Sequence, residues 1–247
     1  MKTLLKIIRY PLSVLFYLFF GLTILIFHPL QWLAFNGFGY TAHKKTVDVF
    51  NWFLLRCLNI VGTTFKVKIS GNIPENVPII IVSNHQSMWD ISPISWYLRK
   101  YHPKFISKVE LGKGIPSISY NLRHGGSILI DRKNPRQALV EMVKFSKYLN
   151  KHNRSGVIFP EGTRSKTGAP KPFKKTGLQT LFKKLPDGYV VPVTINNSWK
   201  LQRNGMFPIH LGVCLELTAH DAIKISEYEV DPLIDKVETI VTSKVYK

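Results

Sequence analysis

The hydrophobic pattern divides the chain into an apolar N-terminal segment and a longer body in which strand and helix patterns alternate. Short apolar runs bounded by glycine, proline and polar residues predict strands in the body. These runs, one of which includes a turn, lie at 65–70, 78–82, 105–107, 125–132, 156–159, 189–195 and 208–217. Apolar residues at helical spacing predict helices between the runs and a closing helix over 231–246. The alternation favours an α/β fold with a mostly parallel or mixed sheet flanked by helices.

Residues 1–62 form a separate unit in this pattern and are predicted to contain two helices. As a helix, the apolar run 11–27 spans about 25 Å, slightly less than the ~30 Å hydrocarbon core of a bilayer. Apolar residues at helical spacing over 47–61 predict the second helix. No small-residue cleavage site follows the first run, so the segment is expected to be retained. We interpret 1–62 as a membrane-anchoring segment, embedded in one leaflet or marginally spanning; a buried core hairpin is the alternative.

The composition adds a strong positive charge, with 34 Lys and Arg against 15 Asp and Glu, formally +19. Such a charge attracts phosphate-rich partners: nucleic acid, anionic lipids, coenzymes or an acidic carrier protein. The apolar N-terminal segment and the lack of a nucleic-acid-binding motif argue against nucleic acid. Cys57 and Cys214 suggest no disulfide framework, and without a His/Cys cluster no metal site is expected.

The stretch 83–90 carries the candidate catalytic chemistry, because it places His85 and Asp90 directly after the buried run 78–82. A histidine with a carboxylate partner can act as a general base, since the carboxylate fixes the ring's tautomer and stabilises the imidazolium that forms. Positions five apart point to different faces of a regular helix. We therefore expect His85 at the strand-to-helix turn, and Asp90 in the first helical turn, folded back towards it.

Two further polar clusters follow predicted strands. They are Asp131-Arg132 and Glu161-Gly162-Thr163-Arg164. The second suits an anion, because glycine lets the backbone approach closely while the hydroxyl and guanidinium groups donate hydrogen bonds. Charged residues at the carboxyl ends of parallel strands lie where α/β proteins place ligands. The predicted topology gathers both clusters and the stretch 83–90 at one edge of the sheet.

Four blocks, taken in order, give the chain its resemblance to a known family. They are Asn84-His85 with Asp90, Gly126–Arg132, Phe159–Ser165 and Val191–Ile195. On these blocks the chain resembles the lysophospholipid/glycerolipid acyltransferases, specifically the lysophosphatidic acid acyltransferases. The resemblance implies a glycerol-phosphate acyltransferase-like fold over 63–247 and an O-acyltransferase that makes phosphatidic acid in phospholipid synthesis. It also implies lysophosphatidic acid as acceptor, acyl-CoA or acyl-carrier protein as donor, and no bound cofactor.

The resemblance implies roles for individual residues as well. His85 would take the proton from the acceptor's hydroxyl and Asp90 would orient His85, without a covalent acyl-enzyme intermediate. Seven residues are expected to bind the acceptor, mainly its phosphate: Arg132, Thr163 and Arg164, with Glu161 and Gly162 in the same block, and Lys108 and Lys174 as secondary contacts.

Alternative reactions remain open at this point. The acceptor could be another lysolipid, for example the lyso form of an amino-acid lipid. A membrane esterase or thioesterase could use the same His/Asp pair with water as the nucleophile. The expected partners are membrane lipids, the lysophospholipid and the acyl donor, with no nucleic acid. The expected location is the membrane, with the catalytic domain facing the cytoplasm.

Overall fold

A central sheet organises the body of this protein, seen here in a computed structural model that describes the backbone of residues 2–246 and the side chains of residues 7–246. The strands are β1 (Thr64–Ile69), β2 (Ile79–Ser83), β3 (Pro103–Lys108), β4 (Ile128–Ile130), β5 (Ser155–Ile158), β6 (Tyr189–Asn196), β7 (Cys214–Ala219) and β8 (Ile223–Lys224). Their order is β1-β7-β6-β2-β5-β3-β4, with β8 beside β6.

The sheet is mixed, as the alternating pattern predicts. β6 runs antiparallel to β7 and β8, whereas the other pairings are parallel. Parallel strands β2, β5, β3 and β4 therefore end at the same edge of the sheet. This edge receives the segments that contain His85, Arg132 and Glu161, so the predicted convergence of the polar clusters follows directly from the strand order.

Helices cover both faces of the sheet. They are the long N-terminal helix α1 (Lys2–Ile60), α2 (Ile91–Tyr97), α3 (Ile118–His124), α4 (Pro135–His152), α5 (Lys175–Lys184) and α6 (Val230–Ser243). One face packs on α4, α5 and α6 through buried residues such as Phe145, Leu178 and Leu233. On the other face, Ile94 of α2 and the adjacent Leu98 join the second core cluster. Burial on both faces explains why the central strands are continuous apolar runs.

The N-terminal segment folds as a helical hairpin. Helix α1 is interrupted at Gly39, whose φ of 77° is not helical, and glycine tolerates this conformation because it lacks a Cβ. The segments 2–38 and 40–60 fold back on each other, since Phe27 packs on Phe50 with ring centroids 5.5 Å apart. The two predicted helices are present, but the first extends well beyond its predicted end at 27. By length and composition alone, the segment 7–60 qualifies as a candidate for crossing a membrane.

The hairpin also packs against the body. Phe16 and Phe20 each lie 5.3 Å from the ring of Trp89, measured between centroids. The hydroxyl of Ser117 donates a 2.5 Å hydrogen bond to the carbonyl of Ile24. The opposite side of the hairpin exposes large apolar side chains, among them Val14, Leu18, Phe19, Leu22, Leu25, Ile26, Trp32, Leu33 and Phe38. The hairpin is therefore packed on the body along one side and exposed along the other.

Some element boundaries differ from the predictions. The last long strand begins at Cys214 and not at 208, because the chain turns at Gly212, where φ is 69°. The helix after the stretch 83–90 is regular only over Ile91–Tyr97 and then tightens into a 3₁₀ turn. The strands at 65–70, 78–82, 105–107, 156–159 and 189–195 are confirmed to within about two residues.

Candidate active site

His85 and Asp90 form a hydrogen-bonded pair at the end of β2. The distance between His85 Nδ1 and Asp90 Oδ2 is 2.8 Å. Asp90 is fully buried, whereas the His85 side chain retains 15% of its exposure. With Nδ1 donating to the carboxylate, Nε2 carries the lone pair and is the nitrogen that can accept a proton. The predicted fold-back of Asp90 towards His85 is therefore present.

Local hydrogen bonds fold the chain into this geometry. Asp90 Oδ2 also accepts from the backbone N–H groups of Gln86 at 2.7 Å and Ser87 at 2.9 Å. Ser87 caps the 3₁₀ turn 88–90, because its hydroxyl oxygen accepts from the N–H of Trp89 at 3.1 Å. Ser198, which the sequence did not single out, donates its hydroxyl to Asp90 Oδ1. The carboxylate is thus fixed by several donors besides the imidazole.

The side chain of Asn84 links this turn to strand β6. Its Nδ2 donates to the carbonyl of Ile195 at 2.8 Å, and its Oδ1 accepts from the N–H of the same residue at 2.7 Å. An amide side chain can make this reciprocal pair because it carries both a donor and an acceptor. Two of the four sequence blocks therefore meet through one residue, and the block 191–195 has a structural role beside the site.

The segment after β5 lies against His85. The rings of Phe159 and His85 are stacked, with centroids 4.1 Å apart and an interplanar angle of 19°. The N–H of Ser165 donates to the carbonyl of His85 at 2.8 Å. On the other side, the N–H of His85 donates to Glu161 Oε1, also at 2.8 Å. The backbone and the ring of His85 are both held by this segment.

The carboxylate of Glu161 accepts hydrogen bonds from the backbone of two separate segments. Its second oxygen accepts from the N–H of Lys171 at 3.1 Å, so both oxygens bind backbone donors. The residue is only 3% exposed. Burial raises the pKa of Glu161, and the hydrogen bonds from His85 and Lys171 act in the opposite direction. These contacts make Glu161 a brace between two loops.

Replacing Glu161 by glutamine is expected to lower the free energy of unfolding by about 1–3 kcal/mol. The amide nitrogen of glutamine cannot accept a hydrogen bond, so the N–H of either His85 or Lys171 would lose its buried partner. Urea denaturation of the purified protein in detergent measures the change. Glu227→Gln is the control, because Glu227 is exposed. Equal unfolding midpoints for the two variants would contradict the brace.

The remaining predicted residues line the same edge of the sheet. Arg132 donates to the carbonyl of Gly162 and so joins the segments after β4 and β5. Gly162 has a φ of 73°, and a Cβ there would lie 3.3 Å from Cε of Lys174. Lys108 ends β3 in register with Ile130 and is exposed. The structure therefore places Arg132 and Lys174 each beside Gly162, and Lys108 at the neighbouring strand end.

Lys171 is a site residue that the sequence analysis missed. Its ammonium group donates to Thr163 Oγ1 at 2.8 Å and to the carbonyl of Arg164 at 3.0 Å. In the sequence, nothing distinguished Lys171 from the other basic residues of the polar segment after β5.

The guanidinium group of Arg132 lies among other charges. Desolvation lowers the pKa of Arg132; the negative charge of Glu110 opposes this shift and the positive charge of Arg164 adds to it. Together with Lys171, Arg132 and Arg164 give the edge beside His85 several cationic donors that suit an anion.

Known proteins resemble this chain in sequence and in fold. The family model described as Acyltransferase matches residues 64–196. A 1-acyl-sn-glycerol-3-phosphate acyltransferase of Helicobacter pylori is 40% identical over 126 residues, which is 49% of this chain and 50% of that protein. The enzyme of that name from Borreliella burgdorferi is 30% identical over 191 residues, 73% of this chain and 74% of its own. A chloroplastic one from Brassica napus, BAT2, is 38% identical over 57% of this chain and 40% of its own.

A solved structure extends the similarity to nearly the whole chain. The crystal structure of the 1-acyl-sn-glycerophosphate (LPA) acyltransferase PlsC from Thermotoga maritima superimposes with a TM-score of 0.79 at 26% identity. The superposition covers 97% of this chain and 95% of that one. By sequence, however, the chain matches only half or less of the length of the Helicobacter and Brassica relatives.

Proposed function

This chain belongs to the acyltransferase family, and we propose that it transfers a fatty acyl group to the free hydroxyl of lysophosphatidic acid, giving phosphatidic acid. The observation that carries the proposal is the His85–Asp90 pair at 2.8 Å beside an edge rich in cations and hydroxyls. A lysophosphatidic acid offers both of the groups that such a site would recognise, a hydroxyl and a phosphate. The names of the similar proteins agree with this substrate.

In the proposed reaction His85 acts as a general base. Its Nε2 takes the proton of the acceptor hydroxyl while the oxygen attacks the thioester carbonyl of the acyl donor. The imidazolium that forms is stabilised by Asp90. Collapse of the tetrahedral intermediate breaks the carbon–sulfur bond, and the departing thiolate receives the proton from the imidazolium. No protein nucleophile takes part, because the substrate supplies the attacking hydroxyl.

The acceptor's phosphate is proposed to lie against Arg132 and Arg164, with the Thr163 hydroxyl as a further donor. Lys108 and Lys174 are proposed as secondary contacts from neighbouring segments. Glu161 and Gly162 contribute differently: the first braces the loop, and the second gives its carbonyl to Arg132. Binding of the acceptor would thus depend on the loop after β5 keeping its position on His85.

Arg164→Ala is expected to raise the KM for lysophosphatidic acid about 10- to 100-fold, because a charge-assisted hydrogen bond to phosphate is worth about 1.5–3 kcal/mol. The KM for the acyl donor should stay within a factor of about 2 of the parent. Steady-state kinetics, with the concentration of each substrate varied in turn, measure the two KM values separately. Arg99→Ala is the matched control, since Arg99 is an exposed arginine that lies over Trp96. A change confined to the donor's KM would contradict the assignment.

The proposed function itself is tested with the purified protein, labelled acyl-CoA or acyl-carrier protein, and a panel of lysolipids analysed by mass spectrometry. Acyl transfer to lysophosphatidic acid is the expected result. Transfer only to another lysolipid would change the acceptor, and rapid release of free fatty acid without any acceptor would favour the esterase or thioesterase alternative. The same assay identifies the donor, which is proposed to be acyl-CoA or acyl-carrier protein.

Membrane association through the hairpin 2–60 is proposed as the context of this reaction. One side of the hairpin packs on the body and the other exposes large apolar side chains, a division that favours lying in one leaflet over crossing the bilayer. Trp32, Trp52 and Phe53 add exposed aromatic rings of the kind found at the lipid–water boundary. The catalytic edge is proposed to face the cytoplasm, where acyl-CoA and acyl-carrier protein are present.

A further inference from the structure

A loop of the body, 203–207, packs against the first arm of the hairpin. The rings of Phe207 and Tyr10 lie edge to face, with centroids 5.8 Å apart. The hydroxyl of Tyr17 donates to the carbonyl of Met206, and the ring of Tyr17 lies 6.4 Å from that of Phe207, measured between centroids. These contacts join residues that are far apart in the chain, so they fix the loop in place beside the hairpin.

The exposed apolar surface of the hairpin continues into this loop. Tyr10, Val14 and Leu18 follow one another at four-residue spacing and so share one face of the helix, with exposed fractions of 50%, 59% and 55%. Met206 and Phe207 are exposed at 49% and 48%. Because Phe207 packs on Tyr10, these five side chains form one apolar strip that crosses from the hairpin onto the body. A continuous exposed apolar surface of this kind marks an interaction site.

The charges that accompany the apolar strip are positive. The sequence contains no Asp or Glu at 1–47 or at 188–215, the two ranges that supply the strip. Lys200 and Arg203 lie at the start of the loop, and each places its charged group 5.9 Å from the centroid of the Trp199 ring. Basic side chains beside an aromatic and apolar surface are typical of proteins that bind an anionic membrane surface. The sign of the charge therefore favours an anionic partner for the strip.

We propose that the loop 203–207 is a second membrane contact, which places Met206 and Phe207 at the boundary between the headgroups and acyl chains of an anionic bilayer. Such a contact gains free energy from the buried apolar area and from the attraction of Lys200 and Arg203 to acidic headgroups. A second copy of this chain, facing the strip across a two-fold axis, would instead set like charges against each other. The inference rests on the membrane association proposed above for the hairpin and adds a contact made by the body itself.

This contact would place the catalytic turn close to the bilayer. The loop directly follows the 3₁₀ turn Ser198–Gln202, in which Ser198 and Leu201 are fully buried. The hydroxyl of Ser198 donates to Asp90, the carboxylate partner of His85. Because the buried turn joins the loop to Asp90, a loop held at the headgroups would keep the imidazole beside the membrane, where a lysolipid acceptor resides.

Quenching of a fluorescent label by spin-labelled lipid tests the contact, with the full chain reconstituted into vesicles of phosphatidylcholine and phosphatidylglycerol. The background is Cys214→Ser, since Cys214 is exposed and Cys57 is buried. A nitrobenzoxadiazole label at Met206→Cys should lose at least about half of its emission to a nitroxide near the headgroup end of the acyl chain, because an interfacial side chain lies about 5–10 Å into this boundary. A label at Val140→Cys should lose little. Val140 is also 49% exposed, but it lies on α4, which packs on the sheet face away from α2 and the hairpin.

A third label, at Leu18→Cys on the exposed side of the hairpin, separates failure of this inference from failure of the hairpin's membrane association. Quenching at Leu18 together with equal quenching at Met206 and Val140 overturns the loop contact and leaves the hairpin in the bilayer. Absence of quenching at Leu18 overturns both. Should Met206→Cys not fold, Asn204→Cys labels the same exposed loop. None of these readouts measures acyl transfer, so their outcome is independent of the proposed activity.

Two further comparisons test the nature of the partner. Quenching at Met206 should weaken when Lys200 and Arg203 are both replaced by glutamine, because each basic side chain near an anionic surface favours binding about fivefold. The matched control replaces Lys183 and Lys184, two exposed lysines of α5, in the same way. Equal quenching in the two double variants overturns the anionic surface. In detergent without lipid, emission at Met206 that changes with protein concentration would identify a second copy of this chain as the partner and overturn the lipid assignment.

Discussion

Replacement of His85 by alanine is expected to reduce the rate of acyl transfer at least about 100-fold, because a positioned general base typically contributes a factor of about 10² to 10⁴. The ring is the group whose Nε2 faces away from the carboxylate and can receive the hydroxyl proton. The measurement is kcat with lysophosphatidic acid and an acyl donor, together with the fraction of protein that sediments with membranes. Membrane association should be unchanged, since the hairpin is untouched.

His210→Ala is the control for this variant. Among the residues that the structure describes, His210 bonds only through its ring Nδ1 to the neighbouring Leu211 carbonyl and through its N–H to the Leu201 carbonyl. His210→Ala should retain the parent's turnover. A His85→Ala protein that turns over at the parent's rate would remove the imidazole from the mechanism. A His85→Ala protein that no longer sediments with membranes would indicate misfolding, and its kinetics would then be repeated with His85→Gln.

Asp90→Asn is expected to lower kcat by a factor of roughly 10² to 10⁴, as happens when a histidine is left in the wrong tautomer. The carboxylate accepts from the His85 ring, from the backbone N–H groups of Gln86 and Ser87, and from Ser198. An asparagine would direct an NH₂ group at one of these donors. If this NH₂ group faces Nδ1 of His85, the proton of the imidazole moves to Nε2, and Nε2 can no longer act as the base.

Ser198→Ala provides the graded comparison for Asp90→Asn. It removes one hydroxyl donor from the carboxylate but leaves the contact between Asp90 and His85 in place. A loss of only about 10-fold or less is expected, the equivalent of a single neutral hydrogen bond. Assaying the three proteins under the same conditions tests the pair as a unit. If Asp90→Asn and Ser198→Ala lowered kcat by the same factor, Asp90 would act by stabilising the fold of the turn and not by setting the tautomer of His85.

The sequence predicted the features of the site that depend on neighbouring positions in the chain. The strand at 78–82 followed by His85, and the return of Asp90 within one turn, are local, because a cap at Ser87 and a few backbone donors suffice to form them. The mixed sheet followed from the alternation of patterns. The meeting of strand ends then followed from the rule that parallel strands finish at one edge.

Features that depend on contacts between distant parts of the chain could not be predicted in this way. The bonds of Glu161 to His85 and Lys171 reach 76 and 10 residues along the chain, and no periodicity encodes them. Ser198 lies 108 residues from Asp90. Likewise, the apolar pattern of the N-terminal segment indicates burial but does not distinguish a lipid surface from a protein surface. In the structure, one side of the hairpin packs on the body and the other side is exposed.

The packing of Phe16 and Phe20 on Trp89 has a consequence for how such a protein can be prepared. Trp89 is the residue directly before Asp90, and its ring is 4% exposed beneath the hairpin. Deleting residues 1–62 to gain solubility would expose the indole of Trp89. It would also remove the packing that supports the turn carrying Asp90. Turnover lost on truncation would then report damage to the turn that contains Asp90. A detergent that separates the hairpin from the body would lower the turnover of the intact chain for the same reason.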